Sequence, residues 1–131
     1  MSTEFIAAGS GAKRASYASE MVLAEGWGII AGVLPIDLGH DRTPLPEQIE
    51  AQTRQVLANL ETILKSRSLS KDAVVAVRVA LVDLPRLEER MESAYAGFFA
   101  VDRLPARSVI GVAHLPRGAL VAMDFSLRVT P

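Results

Sequence analysis

Apolar and polar positions alternate with two periods along this chain. The clearest period of two lies near the C-terminus. There Val121, Met123, Phe125 and Leu127 make one wholly apolar face, and Leu120, Ala122, Asp124, Ser126 and Arg128 make a face that turns polar. That pattern predicts a half-buried strand. A second run precedes it, with Arg107, Val109, Gly111 and Ala113 on one face and Ser108, Ile110 and Val112 on the other. Pro105 sets its entry, and Pro116 with Gly118 supplies the turn between the two strands. Met21 to Ala24 and Trp27 to Leu34 predict a further pair joined at Glu25–Gly26. In the longer of these, Trp27, Ile29, Ala31 and Val33 share one face, with Gly28 and Gly32 on the other. Glycine inside a strand marks close approach of another group; at Gly28 the expectation is a packing gap. Thr3 to Ala7 predicts a short strand. Asp72 to Val82 is apolar throughout except for Arg78, the pattern of a strand buried on both faces.

The helical period appears twice. Pro46 to about Ser66 carries Ile49, Val56, Leu57, Leu60, Ile63 and Leu64 as one stripe, with Pro46 suited to the first helical position and Glu47 and Glu50 complementing the dipole. Asp83 is placed to cap a second helix from Leu84 to about Phe99, whose inner stripe is Leu87, Met91, Ala94 or Tyr95, and Phe98. Two helices and about six strands predict one α+β domain over residues 1–131, a mixed sheet with both helices on one face. The opposite face is expected to carry Gly32, Ala76, Ala80, Val109, Leu120 and Ala122, too apolar to leave in water. Nothing in the chain remains to cover it, so further copies of the chain are expected to do so.

Composition narrows the chemistry. Net charge is −1, with 14 basic and 15 acidic residues, and aromatics are 5% of the chain, which speaks against nucleic acid and anionic membrane as partners. With no cysteine, a disulfide framework, a thiolate zinc site and a cysteine nucleophile are all excluded. No run approaches the length of a membrane span, and a cytoplasmic location is the expectation. Gly9 to Arg14 is a loop without the Gly-Lys-Ser/Thr ending of a phosphate cradle. His40 and Asp41 are adjacent, which is not a metal-ligand spacing, and no metal or cofactor is expected. Arg107, among small apolar neighbours at a strand start, needs an anionic partner or water.

The Pro105-Ala106-Arg107-Ser108 run followed by Leu115-Pro116 and Gly118-Ala119 resembles the Rid (YjgF) family of reactive-intermediate enamine/imine deaminases, also known as L-PSP endoribonucleases. Ser16-Tyr17-Ala18, the segment from Ile30 to Pro35, Gln52, Asn59-Leu60 and Tyr95-Ala96-Gly97-Phe98-Phe99 agree with it in order. The resemblance implies a chorismate mutase-like fold and a homotrimer with sites in the clefts between subunits. It also implies that Arg107 binds a small carboxylate-bearing substrate, with Tyr17, Ala31, Gly32 and Val109 around it. The chain departs from the pattern at three places. Ala122 stands where the family has its water-activating glutamate, Ala31 where it has a serine before the glycine, and Glu92 where it has an asparagine before the tyrosine. Asp124, on the face of Ala122, and Glu92 are the carboxylates placed to compensate. The plainer expectations are a solvated or ion-paired Asp124, a solvent-facing Glu92 and a turn-proximal His114. Three functions stay open: an imine/enamine deaminase that has moved or dispensed with its acid, a catalytically weak relative that binds small anions at Arg107, and, disfavoured by charge, a ribonuclease or translation inhibitor.

Overall fold

The computed structural model describes residues 2–7, 17–40 and 42–130. The loop Gly9–Arg14, Ser16 and Asp41 lie outside the described residues. Strands β1 (Glu4–Ile6), β2 (Met21–Ala24), β3 (Trp27–Val33), β4 (Val74–Val82), β5 (Ala106–Val112) and β6 (Val121–Arg128) form one sheet, ordered β1-β2-β3-β6-β4-β5. Among the described strands only β4 and β5 pair in parallel, so the sheet is mixed as expected. Helices α1 (Ile49–Lys65) and α2 (Leu84–Tyr95) pack on one face. The core lies between them, where Val56, Leu60, Leu64 and Met91 meet Val77, Val79, Leu81, Val121, Met123, Phe125 and Leu127.

The strands on either side of the Pro116–Gly118 turn do not pair with each other. β4 runs between them, bonded in parallel to β5 and antiparallel to β6. Its run, apolar but for Arg78, is buried on one face only. Val77, Val79 and Leu81 are buried under the helices, while Val75 and Arg78 are exposed and Ala76 and Ala80 half-buried on the open side. Val109 and Leu120 also correct the expected faces. Both pack against the core on the helix side, Val109 because it sits beside Val79 in register. The open face instead carries Trp27, Ile29 and Ile110, which are 54%, 56% and 42% exposed, around Ala76, Ala80 and Ala122.

Helix ends differ from the sequence expectation for local reasons. α1 starts at Ile49, not Pro46, because Gln48 is extended at φ −92°, ψ 144°. The Pro46 carbonyl instead accepts a 2.7 Å bond from the Gln52 side chain, whose Oε1 accepts from the Leu120 N–H at 2.8 Å. The helix closes without glycine: Ser68 takes φ +56°, and the Leu69 and Ser68 N–H groups bond the Leu64 and Lys65 carbonyls. α2 ends at Tyr95, short of Phe99, where Ala96 turns extended and Gly97 takes φ +83°. Asp83 makes no side-chain cap; at φ +53° it pairs with Arg86 at 2.6 Å.

Candidate functional site

The β3 alternation breaks at residues 31–32. Ile30 lies opposite Phe125 and Val33 opposite Met123, so Ala31 and Gly32 together face the single residue Asp124. This β-bulge turns Val33 to the buried side, against the expected alternation, and leaves Ala31 and Gly32 exposed. Gly32 makes the bulge with φ +66°, a conformation a side chain disfavours. Its freed N–H donates to Asp124 Oδ1 at 2.7 Å. Asp124 is therefore neither simply solvated nor ion-paired: one of its oxygens holds the bulge. At Gly28 there is no packing gap: an added methyl would lie 2.7 Å from Leu23 and 3.2 Å from Leu127, which close over the glycine.

Arg107 sits on the edge strand β5, beside Val77 in register and on the helix side. Glu92 reaches it from α2, not toward solvent. Arg107 Nη1 and Nη2 donate to Glu92 Oε1 and Oε2 at 2.6 and 2.5 Å, a two-pronged pair. The side chains are 26% and 35% exposed. The guanidinium stacks 4.6 Å from the centre of the Tyr95 ring. Hydrogen bonding to Glu92 raises the Arg107 pKa further, and burial raises that of the Tyr95 phenol, partly opposed by the Arg107 charge. The Tyr95 hydroxyl is buried without a hydrogen-bond partner among the described residues. Tyr95 is the site residue that sequence reasoning passed over. The signal was its spacing from Glu92, three residues on one helix face.

The remaining candidates do not join this cluster within one chain. Tyr17, 94% exposed, lies in the turn before β2. Four strand spacings separate β2 from β5, roughly 19 Å at about 4.8 Å each. Ala31 and Gly32 on β3 lie three spacings from β5. Val109 follows Arg107 on β5 and packs into the core, and His114 is exposed beyond that strand. Ala122 lies beside Ala80 and is 7% exposed. On the open face a depression of about 430 Å³ runs over Ala76, Arg78, Ser108, Asp124 and Ser126, with Arg107 at its border. Among the described residues no group of three His, Asp or Glu side chains is arranged to hold a metal. No described helix is long and apolar enough to cross a membrane.

The family model described as Endoribonuclease L-PSP matches residues 10–127. The chain belongs to that family, the Rid (YjgF) family of the resemblance. Within it, this Rid chain is 33% identical over 106 residues to a RutC family protein of Pyrococcus horikoshii, covering 81% of this chain and 82% of the relative. It is 34% identical over 110 residues to the mitochondrial protein MMF1 of Saccharomyces cerevisiae, covering 84% and 72%. Among solved structures, the conserved Rid family protein YyfA from Yersinia pestis superposes with a TM-score of 0.87 at 27% identity, over 98% of this chain and all of that one. Yeast Mmf1 does so at 0.86 and 27%, with the same coverage. The six-stranded mixed sheet with two helices is thus the Rid fold.

Proposed function

We propose that this Rid chain hydrolyses small reactive imines that carry a carboxylate, in the manner of the family's enamine/imine deaminases. The observation that carries the reading is the Arg107 fork: it already grips a planar carboxylate with two bonds, backed by an aromatic ring. A 2-imino acid presents the same group. Water adds to its C=N carbon, ammonia leaves, and a 2-oxo acid remains.

The site is an intersubunit cleft of a homotrimer in this reading. Tyr17 precedes β2 and Arg107 lies on β5, four strand spacings away, so one ligand meets both only when they come from different copies. The exposed Ile29, Trp27 and Ile110 supply the apolar surface for that contact. With Ala122 in the glutamate's place, water activation falls to Glu92 or Asp124.

A second reading is favoured by the same alanine and by the engagement of Asp124 with Gly32: a protein that binds small anions at Arg107 with little turnover. A ribonuclease reading finds support in the family's name alone, against a net charge of −1.

The deciding experiment generates 2-iminobutanoate in situ with an amino-acid oxidase and follows its hydrolysis with the wild type and Arg107→Ala. We expect catalysed hydrolysis that Arg107→Ala abolishes. A wild type no faster than uncatalysed hydrolysis overturns the deaminase reading in favour of the binding one.

A further inference from the structure

We propose that Glu92 makes the Arg107 site selective for zwitterions, admitting 2-iminium acids and expelling the 2-oxo acid product. The proposal rests on the reading that Arg107 binds the substrate carboxylate.

Glu92 occupies the end-on fork of Arg107, one N–H from each terminal nitrogen, and a carboxylate arriving at that fork or at the guanidinium's remaining N–H edge stands beside Glu92. The Tyr95 ring lies over the guanidinium. A ligand carboxylate takes the end-on fork itself only by replacing Glu92. At 35% exposure, the Glu92 side chain has solvent on one side into which to swing. The displaced carboxylate then stands beside the ligand's own carboxylate, and two anions share one guanidinium. It also stands in the last turn of α2, where its backbone carbonyl accepts from the Ala96 N–H. The helix dipole disfavours a negative side chain there unless a cation is near.

A ligand with a cation next to its carboxylate removes that penalty. In a 2-iminium acid the C=NH₂⁺ carbon is bonded directly to the carboxylate carbon. Its carboxylate takes the Arg107 fork while its N–H groups donate to Glu92, so one internal ion pair is exchanged for two with the ligand. Hydrolysis then destroys the match. The iminium acid and one water give the 2-oxo acid anion and ammonium, and the nitrogen departs with the positive charge. What remains is an anion alone, and Glu92 competes it off Arg107. Ala122 and the bulge-holding Asp124 provide no comparable charge at the fork.

The test measures binding, not turnover. Stable 2-aminobutanoate serves as the zwitterion and 2-oxobutanoate as the anion, titrated by calorimetry into wild type, Glu92→Gln and Glu92→Ser. We expect wild type to prefer the zwitterion by about tenfold, the scale of one charge-assisted hydrogen bond. Both variants should reverse the order, with the 2-oxo acid binding more tightly than to wild type. Using two substitutions of different size separates loss of charge from misfolding, and each must melt as cooperatively as wild type. An unchanged preference ratio, or no wild-type binding of either ligand, overturns the proposal. Iminobutanoate turnover with an unchanged ratio removes Glu92 and leaves the deaminase; a reversed ratio without turnover keeps the selectivity and removes the deaminase.

Discussion

Gly32→Ala isolates the backbone cost of the bulge that faces Asp124. Gly32 holds φ +66°, and beyond its chain neighbours no heavy atom of the described residues lies within 4 Å of where the new methyl would sit. No packing is gained or lost among those residues, so the whole effect is conformational. A non-glycine residue in the left-handed region costs about 1–2 kcal/mol. For a chain of 131 residues that corresponds to a fall in Tm of roughly 4–8 °C. The 2.7 Å bond from Gly32 N–H to Asp124 persists if the bulge is kept. Urea unfolding at fixed protein concentration is the assay, with an unchanged m-value as the sign that the native state is intact. Gly32→Asn should lose less, since asparagine tolerates this region. Asp124→Asn should lose less than Asp124→Ala, because it keeps an acceptor for the same N–H. A Gly32→Ala protein as stable as wild type refutes the reasoning, and so does a loss above about 4 kcal/mol, which would need a steric clash.

Ser68 occupies the left-handed closing position of α1 at φ +56°, so Ser68→Gly should raise stability by about 1 kcal/mol, read as a higher melting temperature. Asn59 Nδ2 donates to the Leu34 and Ile36 carbonyls at 2.9 and 2.8 Å and ties the segment after β3 to α1. Asn59→Ala strands both acceptors and should cost about 2–4 kcal/mol in urea unfolding; a cost below about 1 kcal/mol would mean that water replaces the amide. Burial raises the Tyr95 phenol above its usual pKa of 10.0. The unfolded chain therefore loses that proton first, so the contribution is complete below about pH 10 and declines as pH rises beyond it. Tyr95→Phe should flatten the alkaline loss of stability, and an identical pH profile would remove Tyr95 as its source.

Short-range periodicity carried much of the fold. The apolar stripe from Ile49 to Leu64 and the alternation from Val121 to Leu127 each report the geometry of one element, and both faces came out as expected. The motif around Arg107 was legible because a guanidinium among small apolar residues demands an anion whatever the fold. Alternation yields two faces but not which one meets the core, and Val109 was assigned to the wrong one. That choice depends on β4 lying between β5 and β6, a pairing between segments far apart in sequence. The bulge at Gly32 was hidden for the same reason. One extra residue in β3 has meaning only against the register of β6, with Asp124 across from it 92 residues away. Glu92 looked like an exposed helix residue because its own helix says nothing of what packs beside it. Only the docking of α2 on the edge of the sheet brings its carboxylate to Arg107 and sets Tyr95 beneath both.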